Sequence, residues 1–314
     1  MSQPDLRPFS QKFAMWLIKS RAGLKFSTRG KTKAALVDIE GVQNDRIDVP
    51  SREAGRFIGT RVYKPKGSHG PLPIVVYFHG GGYATGWPER HHAFYKRLID
   101  TRPCIIVVPA FRSSLDAPYP AGHEDCYDTL LWVRDNVSEL GGRSDWIAVA
   151  GNSSGGGIAL SMAMQARDTG DLKLAFQMPL YPMIDDRSNR WSKLPSNKIT
   201  WSKHHGILAW HLLLKTIRTE KTYNISAYAA PARATDLSNL PPTISYVGTH
   251  DILLNEVESI AERLKAAGND ICYRTFDGLF HAMEDSVPTA GVSQEVHSWV
   301  ETQFASYVDQ YCSD

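Results

Sequence analysis

From about Asp45 onward, short unbroken apolar runs alternate with stretches of helical periodicity. Arg46–Val49 and Gly59–Lys64 read as an opening antiparallel pair. Pro73–Phe78 (PIVVYF), Cys104–Val108 (CIIVV) and Trp146–Ala150 (WIAVA) are continuous apolar runs, the pattern of parallel strands covered on both faces. Helical periodicity follows over Ala121–Asn136 and Ser154–Arg167. Two more strands fall near Leu174–Pro179 and Thr243–Val247. An amphipathic helix over Ile252–Ala267 ends at Gly268. Ile271–Phe276 reads as the last strand and Val292–Val308 as a closing helix. The expected class is α/β, with a mostly parallel, doubly wound, eight-stranded sheet and right-handed crossovers.

Two stretches break this rhythm. Residues 1 to about 48 precede the sheet, and Asp185 to Leu240 interrupts it with Trp191, Trp201, Trp210 and Tyr223. An insertion of that length inside a compact fold has structure of its own. The expected division is an N-terminal part of a helical cap (1–48), a first part of the core (49–185), a cap insertion (186–240) and a second part of the core (241–314). Such a cap lies over the carboxyl edge of the sheet, where α/β folds bind ligands. Trp16, Tyr83, Trp201 and Trp210 are candidates to line a pocket there. The plainer reading is that such aromatics glue cap to core.

The chemistry is concentrated in two glycine clusters. His79-Gly80-Gly81-Gly82 follows PIVVYF, and Gly151-Asn152-Ser153-Ser154-Gly155 follows WIAVA and precedes a helix. The second is a G-x-S-x-G elbow, in which a serine stands on a sharp strand-to-helix turn. Small residues are needed on both sides because the backbone approaches itself closely. Ser153 is centred between the glycines, so Ser154 is not the nucleophile; its amide opens a helix and can face developing negative charge. Alone, the first cluster would read as a structural turn. Beside an elbow it reads as an oxyanion loop, with the amides of Gly81, Gly82 and Ser154 as donors.

A nucleophilic serine needs a base, and the base an orienting acid. With a G-x-S-x-G elbow the chain order is serine, acid, histidine. Asp251 follows the run Thr243–Thr249 and opens a helix, where it could also be a cap. His281 follows the next strand, where the rival reading is an ordinary loop histidine. His250 adjoins Asp251, and His297 falls within a helical pattern. His91, His92, His123, His204, His205 and His211 precede Asp251 and fail the order. The reaction would be acyl transfer to water through an acyl-enzyme on Ser153, with no metal and no cofactor.

Composition narrows the alternatives. The 314 residues are 42% apolar and 22% charged with a formal net charge of +2. This is a globular chain without the basic excess of a nucleic-acid surface. Cys104, Cys126, Cys272 and Cys312 are scattered and form no C-x-x-C pair, so reduced thiols in a cytoplasmic protein are expected. The first ten residues lack a signal-peptide pattern. Phe13–Ile18 is too short to span a bilayer and reads as a lid helix rather than an interfacial one, although Lys12, Lys19 and Arg21 flank it. No stable membrane insertion is expected. The expected partner is a small-molecule ester, and a second copy of the chain stays open.

Taken together, these residues make the chain resemble the hormone-sensitive-lipase-like (family IV) esterases of the α/β-hydrolase fold. The resemblance runs from about residue 60 to the C-terminus. It is carried by HGGGY at His79–Tyr83, GNSSGGG around Ser153, LYPMID at Leu180–Asp185, Asp251-Ile252-Leu253 and FHAM around His281. It implies a Ser153–Asp251–His281 triad, an oxyanion hole at Gly81, Gly82 and Ser154, a helical cap, and esters of short to medium acyl length. His79 looks like a loop support. The chain departs from the family at Asn152, where Asp or Thr is usual. It departs also at Phe111–Asp116, in place of Y-R-L-A-P-E, and at Ile252, in place of proline. An amidase, an arylformamidase, or a hydrolase or acyltransferase of secondary metabolism would use the same triad. A non-catalytic receptor on this fold is the alternative of another class; such receptors commonly lose a triad member, and none is missing in this sequence.

Overall fold

A computed structural model describes residues 38–187, 200–217 and 224–313. Eight strands form one sheet: β1 (Val42–Pro50), β2 (Phe57–Pro65), β3 (Leu72–Phe78), β4 (Ile105–Pro109), β5 (Gly142–Asn152), β6 (Gln177–Leu180), β7 (Thr243–Gly248) and β8 (Ile271–Phe276). Their order is β1-β2-β4-β3-β5-β6-β7-β8. β1 pairs with β2, and β2 with β4, antiparallel; every later pairing is parallel. The helices are α1 (His92–Thr101), α2 (Ala121–Asp135), α3 (Val137–Leu140), α4 (Ser154–Thr169), α5 (Lys203–Leu213), α6 (Leu254–Ala266), α7 (Met283–Ser286) and α8 (Gly291–Tyr311).

The apolar runs are where they are for a simple reason. Residues 73–78 of β3, all of β4 and residues 146–152 of β5 are buried, so both faces of these strands need covering. The chain turns from β3 to β4 on one side and then returns past β3 to β5 on the other. β3 is therefore the switch point of the sheet, and ligands of open α/β sheets bind beyond the carboxyl ends of the strands at such a point. Phe78 of β3 pairs with Gly151 of β5. That register sets His79–Gly82 directly beside the elbow.

Three features differ from the sequence reading. β1 begins at Val42, inside the stretch assigned to the cap; it is an outer strand with mostly solvated positions, so it carries little apolar signal. α1 has no counterpart in that reading, although Tyr95, Leu98 and Ile99 give it one buried stripe. Within the insertion, α5 is capped by Ser202, whose hydroxyl accepts from His205 N while the His205 ring accepts from Ser202 N, a reciprocal cap. The expected N-terminal lid helix, with Trp16, lies outside the described residues, as do Trp191 and Tyr223. Among the described residues no helix is long and apolar enough to cross a membrane.

One buried ion-pair cluster ties the antiparallel end to the core. The fully buried carboxylate of Asp125 on α2 binds Arg56 at 2.5 and 2.8 Å. It also accepts the Arg112 backbone N–H at 2.8 Å and the Arg112 guanidinium at 2.8 Å. Removing one partner of such a pair leaves buried charge uncompensated. Asp125→Ala should cost about 3 kcal/mol of stability, read as a lower urea midpoint with an unchanged slope.

Candidate active site

Ser153 sits between β5 and α4 with φ +55°, a conformation that costs a non-glycine residue on the order of 1–3 kcal/mol. The turn is over-determined by its neighbours. Ser153 N donates to Leu180 O at 3.0 Å, and Ser153 O accepts from Gly157 N at 3.0 Å and Met183 N at 2.9 Å. A Cβ on Gly151 would collide with Gly155 O, and one on Gly155 with Phe78 O. These collisions are the physical content of the two glycines in the elbow.

Three distant stretches converge here. Ser153 Oγ lies 2.9 Å from His281 Nε2. His281 Nδ1 lies 2.8 Å from Asp251 Oδ2. All three residues are buried. The other Asp251 oxygen accepts the Leu253 N–H at 2.9 Å. The carboxylate thus orients the imidazole and stays fixed by the turn before α6; the N-cap of that helix is Leu253, so Asp251 does not cap it. His250, by contrast, is exposed and reaches Thr249 Oγ1.

The glycine loop is held from behind. Gly80 N donates to Asn152 Oδ1 at 2.9 Å, and a Cβ on Gly80 would stand 2.8 Å from Asn152 O. Gly81 has φ +140° and Gly82 φ +61°, both favouring glycine. Gly81 O accepts from the amides of Ala84 and Thr85, which closes the loop into a tight turn. Ser154 is the first residue of α4, so its N–H has no partner within the helix. His79 stacks on Phe111 at 4.2 Å between ring centroids. Burial, with the charge of His91 second, lowers its pKa to about 3; His79 is therefore a neutral prop. The divergent segment from Phe111 keeps a supporting role, since Phe111 packs on His79 and Arg112 is clamped by Asp125.

The three aromatics assigned to a pocket separate. Tyr83 and Trp210 are buried and pack against each other at 5.3 Å, with the Tyr83 hydroxyl donating to Met183 O. Trp201 is only partly buried. Its ring lies 6.1 Å from that of His281 and against Gly82, where any side chain would collide with it. Beside it, Thr200 Oγ1 donates to His281 O. Sequence reasoning missed Tyr181. Its ring meets His281 edge-on at 5.2 Å, and its hydroxyl accepts from Asn152 Nδ2 at 2.9 Å.

A mostly parallel sheet with a serine elbow at its switch point and a Ser–His–Asp line beyond it defines an α/β-hydrolase. A family model for the alpha/beta hydrolase fold matches residues 75–285. The chain belongs to that family, in its hormone-sensitive-lipase-like branch. It is 36% identical over 214 residues to the carboxylesterase NlhH of Mycobacterium tuberculosis, covering 67% of this chain and 66% of that protein, just under two thirds of its length. It is 31% identical to an arylesterase of Saccharolobus solfataricus, over 73% of this chain and 74% of the relative. Among solved structures, a bacterial heroin esterase superimposes with a TM-score of 0.82 at 29% identity, covering 93% of this chain and 92% of the other.

Proposed function

We propose that this chain is a serine carboxylesterase acting on short- to medium-chain esters. The observation that carries the reading is the unbroken line from Ser153 Oγ through His281 to Asp251. His281 takes the proton of Ser153 as Oγ attacks the ester carbonyl. Asp251 holds the imidazole and stabilises its charged form. The amides of Gly81, Gly82 and Ser154 receive the oxyanion, a contribution of ~3 kcal/mol per donor in comparable sites. The alcohol leaves with the proton from His281, and water then releases the acid by the same steps. Esterases among the relatives and structural neighbours support the ester over the amide.

Trp201 supports the limit on acyl length, because its ring closes the space over Gly82. Kinetics on p-nitrophenyl esters from acetate to palmitate, with matching anilides, test both parts. The acetate and butyrate esters should have the highest kcat/KM, and the anilides should be far slower. Trp201→Ala should raise the relative kcat/KM of the longer esters about tenfold, in line with the 1–3 kcal/mol that one apolar contact can discriminate. Faster cleavage of the anilides would make the protein an amidase. An unmoved length profile would remove Trp201 from the pocket.

A further inference from the structure

Beside the elbow is a small cavity of about 10 Å³ lined in part by Asn152, the residue before the nucleophile, room for about one water. Its walls include Tyr77, His91, Asn152, Tyr181, Tyr246, Glu284, Asp285 and His297. Glu284 lies three residues beyond His281, is buried, and lines this cavity together with Tyr181 and Tyr246, whose hydroxyls favour its charged form. Its Oε2 has no hydrogen-bond partner among the described residues; the same holds for His91 Nε2 and His297 Nδ1.

The direction of every hydrogen bond in this cluster follows from one amide. Gly80 N–H can only donate, so the Asn152 atom facing it at 2.9 Å is the oxygen. The Tyr77 hydroxyl donates to that same oxygen at 3.0 Å. Asn152 Nδ2 must then donate to the Tyr181 oxygen at 2.9 Å. The Tyr181 proton is left to go to Glu284. An aspartate at this position would reverse the order: both its oxygens accept, so it would claim the Tyr181 proton, and an ionised Glu284 would then face the Tyr181 oxygen with no proton between them.

We propose that Glu284 is a positioning residue for the ester-hydrolysing site, holding the glycine loop to the elbow through Tyr181 and Asn152, with asparagine at position 152 setting the direction in which the relay runs. The inference rests on the proposed esterase reading. The relay joins Gly80, one residue before the oxyanion glycines, to the residue preceding the nucleophile. It also fixes Tyr181, whose ring edge abuts His281. Burial first, and then the charge of Asp285, push the Glu284 carboxyl up to about 8, so near neutrality it is largely a neutral acid. The proton has its place on Oε2, leaving the other oxygen to accept from the tyrosines. Burial acts against a charge on Asp285, but His91 at 3.0 Å outweighs it, so Asp285 stays ionised.

The test is a double-mutant cycle on kcat and KM for p-nitrophenyl acetate. Glu284→Gln keeps an acceptor for Tyr181 and should stay within about threefold of wild type. Glu284→Ala should lower kcat at least tenfold with KM little changed, and Asn152→Asp should do the same above about pH 8, where an ionised Glu284 cannot donate to Tyr181, since neither side chain reaches substrate. When Asn152→Asp is combined with Glu284→Gln, the relay can run backwards. The amide introduced at position 284 donates to Tyr181, and Tyr181 donates to the carboxylate introduced at position 152. Above about pH 8 that double variant should recover to within about threefold of wild type. Losses that simply add in the double variant, or a Glu284→Ala protein with unchanged kcat, would overturn the proposal. Wild-type protein that hydrolyses no ester would instead overturn the esterase reading; an active wild type confines any failure to the relay.

Discussion

Ser153→Ala should lower kcat on short esters by ~10⁴-fold or more and leave the urea midpoint nearly unmoved. The Ser153 hydroxyl makes its hydrogen bond to His281, so its loss costs the fold little. The backbone bonds to Leu180, Gly157 and Met183 that fix the strained turn do not involve the side chain. Alanine tolerates φ +55° no worse than serine, and the elbow should survive. What disappears is the atom that bonds to the acyl group. Residual hydrolysis would come from the glycine loop stabilising attack by water. A fluorophosphonate probe should label the wild type at one serine and fail to label the variant. A variant that kept most of its activity, or took up the probe, would assign the nucleophile elsewhere.

The parts of the site that could be read from sequence are those fixed by short-range sterics. Gly151 and Gly155 flank Ser153 because a side chain at either position would strike backbone within the same turn or on the adjacent strand. That demand leaves a local pattern. Asp251 and His281 follow from chain order once the elbow is recognised, since each ends a connection after one of two successive parallel strands. What could not be read depends on which elements become neighbours. Trp201 belongs to an insertion whose packing over Gly82 leaves no periodic trace. The relay beside the elbow draws Tyr77 from β3, Asn152 from β5, Tyr181 from the end of β6, Tyr246 from β7 and Glu284 from α7. No spacing rule links those five. The departure at Asn152 is visible in the sequence; its reason requires the direction of hydrogen bonds across five elements. α1 is a different case. Its buried stripe is present in the sequence, but the short run between two strong strands is easily read as a connection.

Asp251→Asn should be nearly as damaging as loss of the nucleophile, and the geometry says why a nearly isosteric change does so much. One side-chain oxygen of Asp251 accepts the Leu253 N–H at 2.9 Å. An amide nitrogen cannot take that place without opposing two donors. The asparagine is therefore forced to put its oxygen toward Leu253 and its NH₂ toward His281 Nδ1. A donor there requires an unprotonated Nδ1, which sends the ring proton to Nε2. Nε2 is the atom 2.9 Å from Ser153 Oγ, and once protonated it cannot accept the serine proton. The expected fall in kcat is ~10⁴-fold, with KM little affected because Asp251 meets His281 at Nδ1, on the side of the ring away from Ser153. Asp251→Ala lacks the misdirecting NH₂ and leaves the tautomer free, so it should fall less steeply than Asp251→Asn. Measuring both variants on one ester separates tautomer control from simple loss of charge. If the two fell equally, the charge on Asp251 would account for its role, and the orientation imposed by Leu253 would not matter.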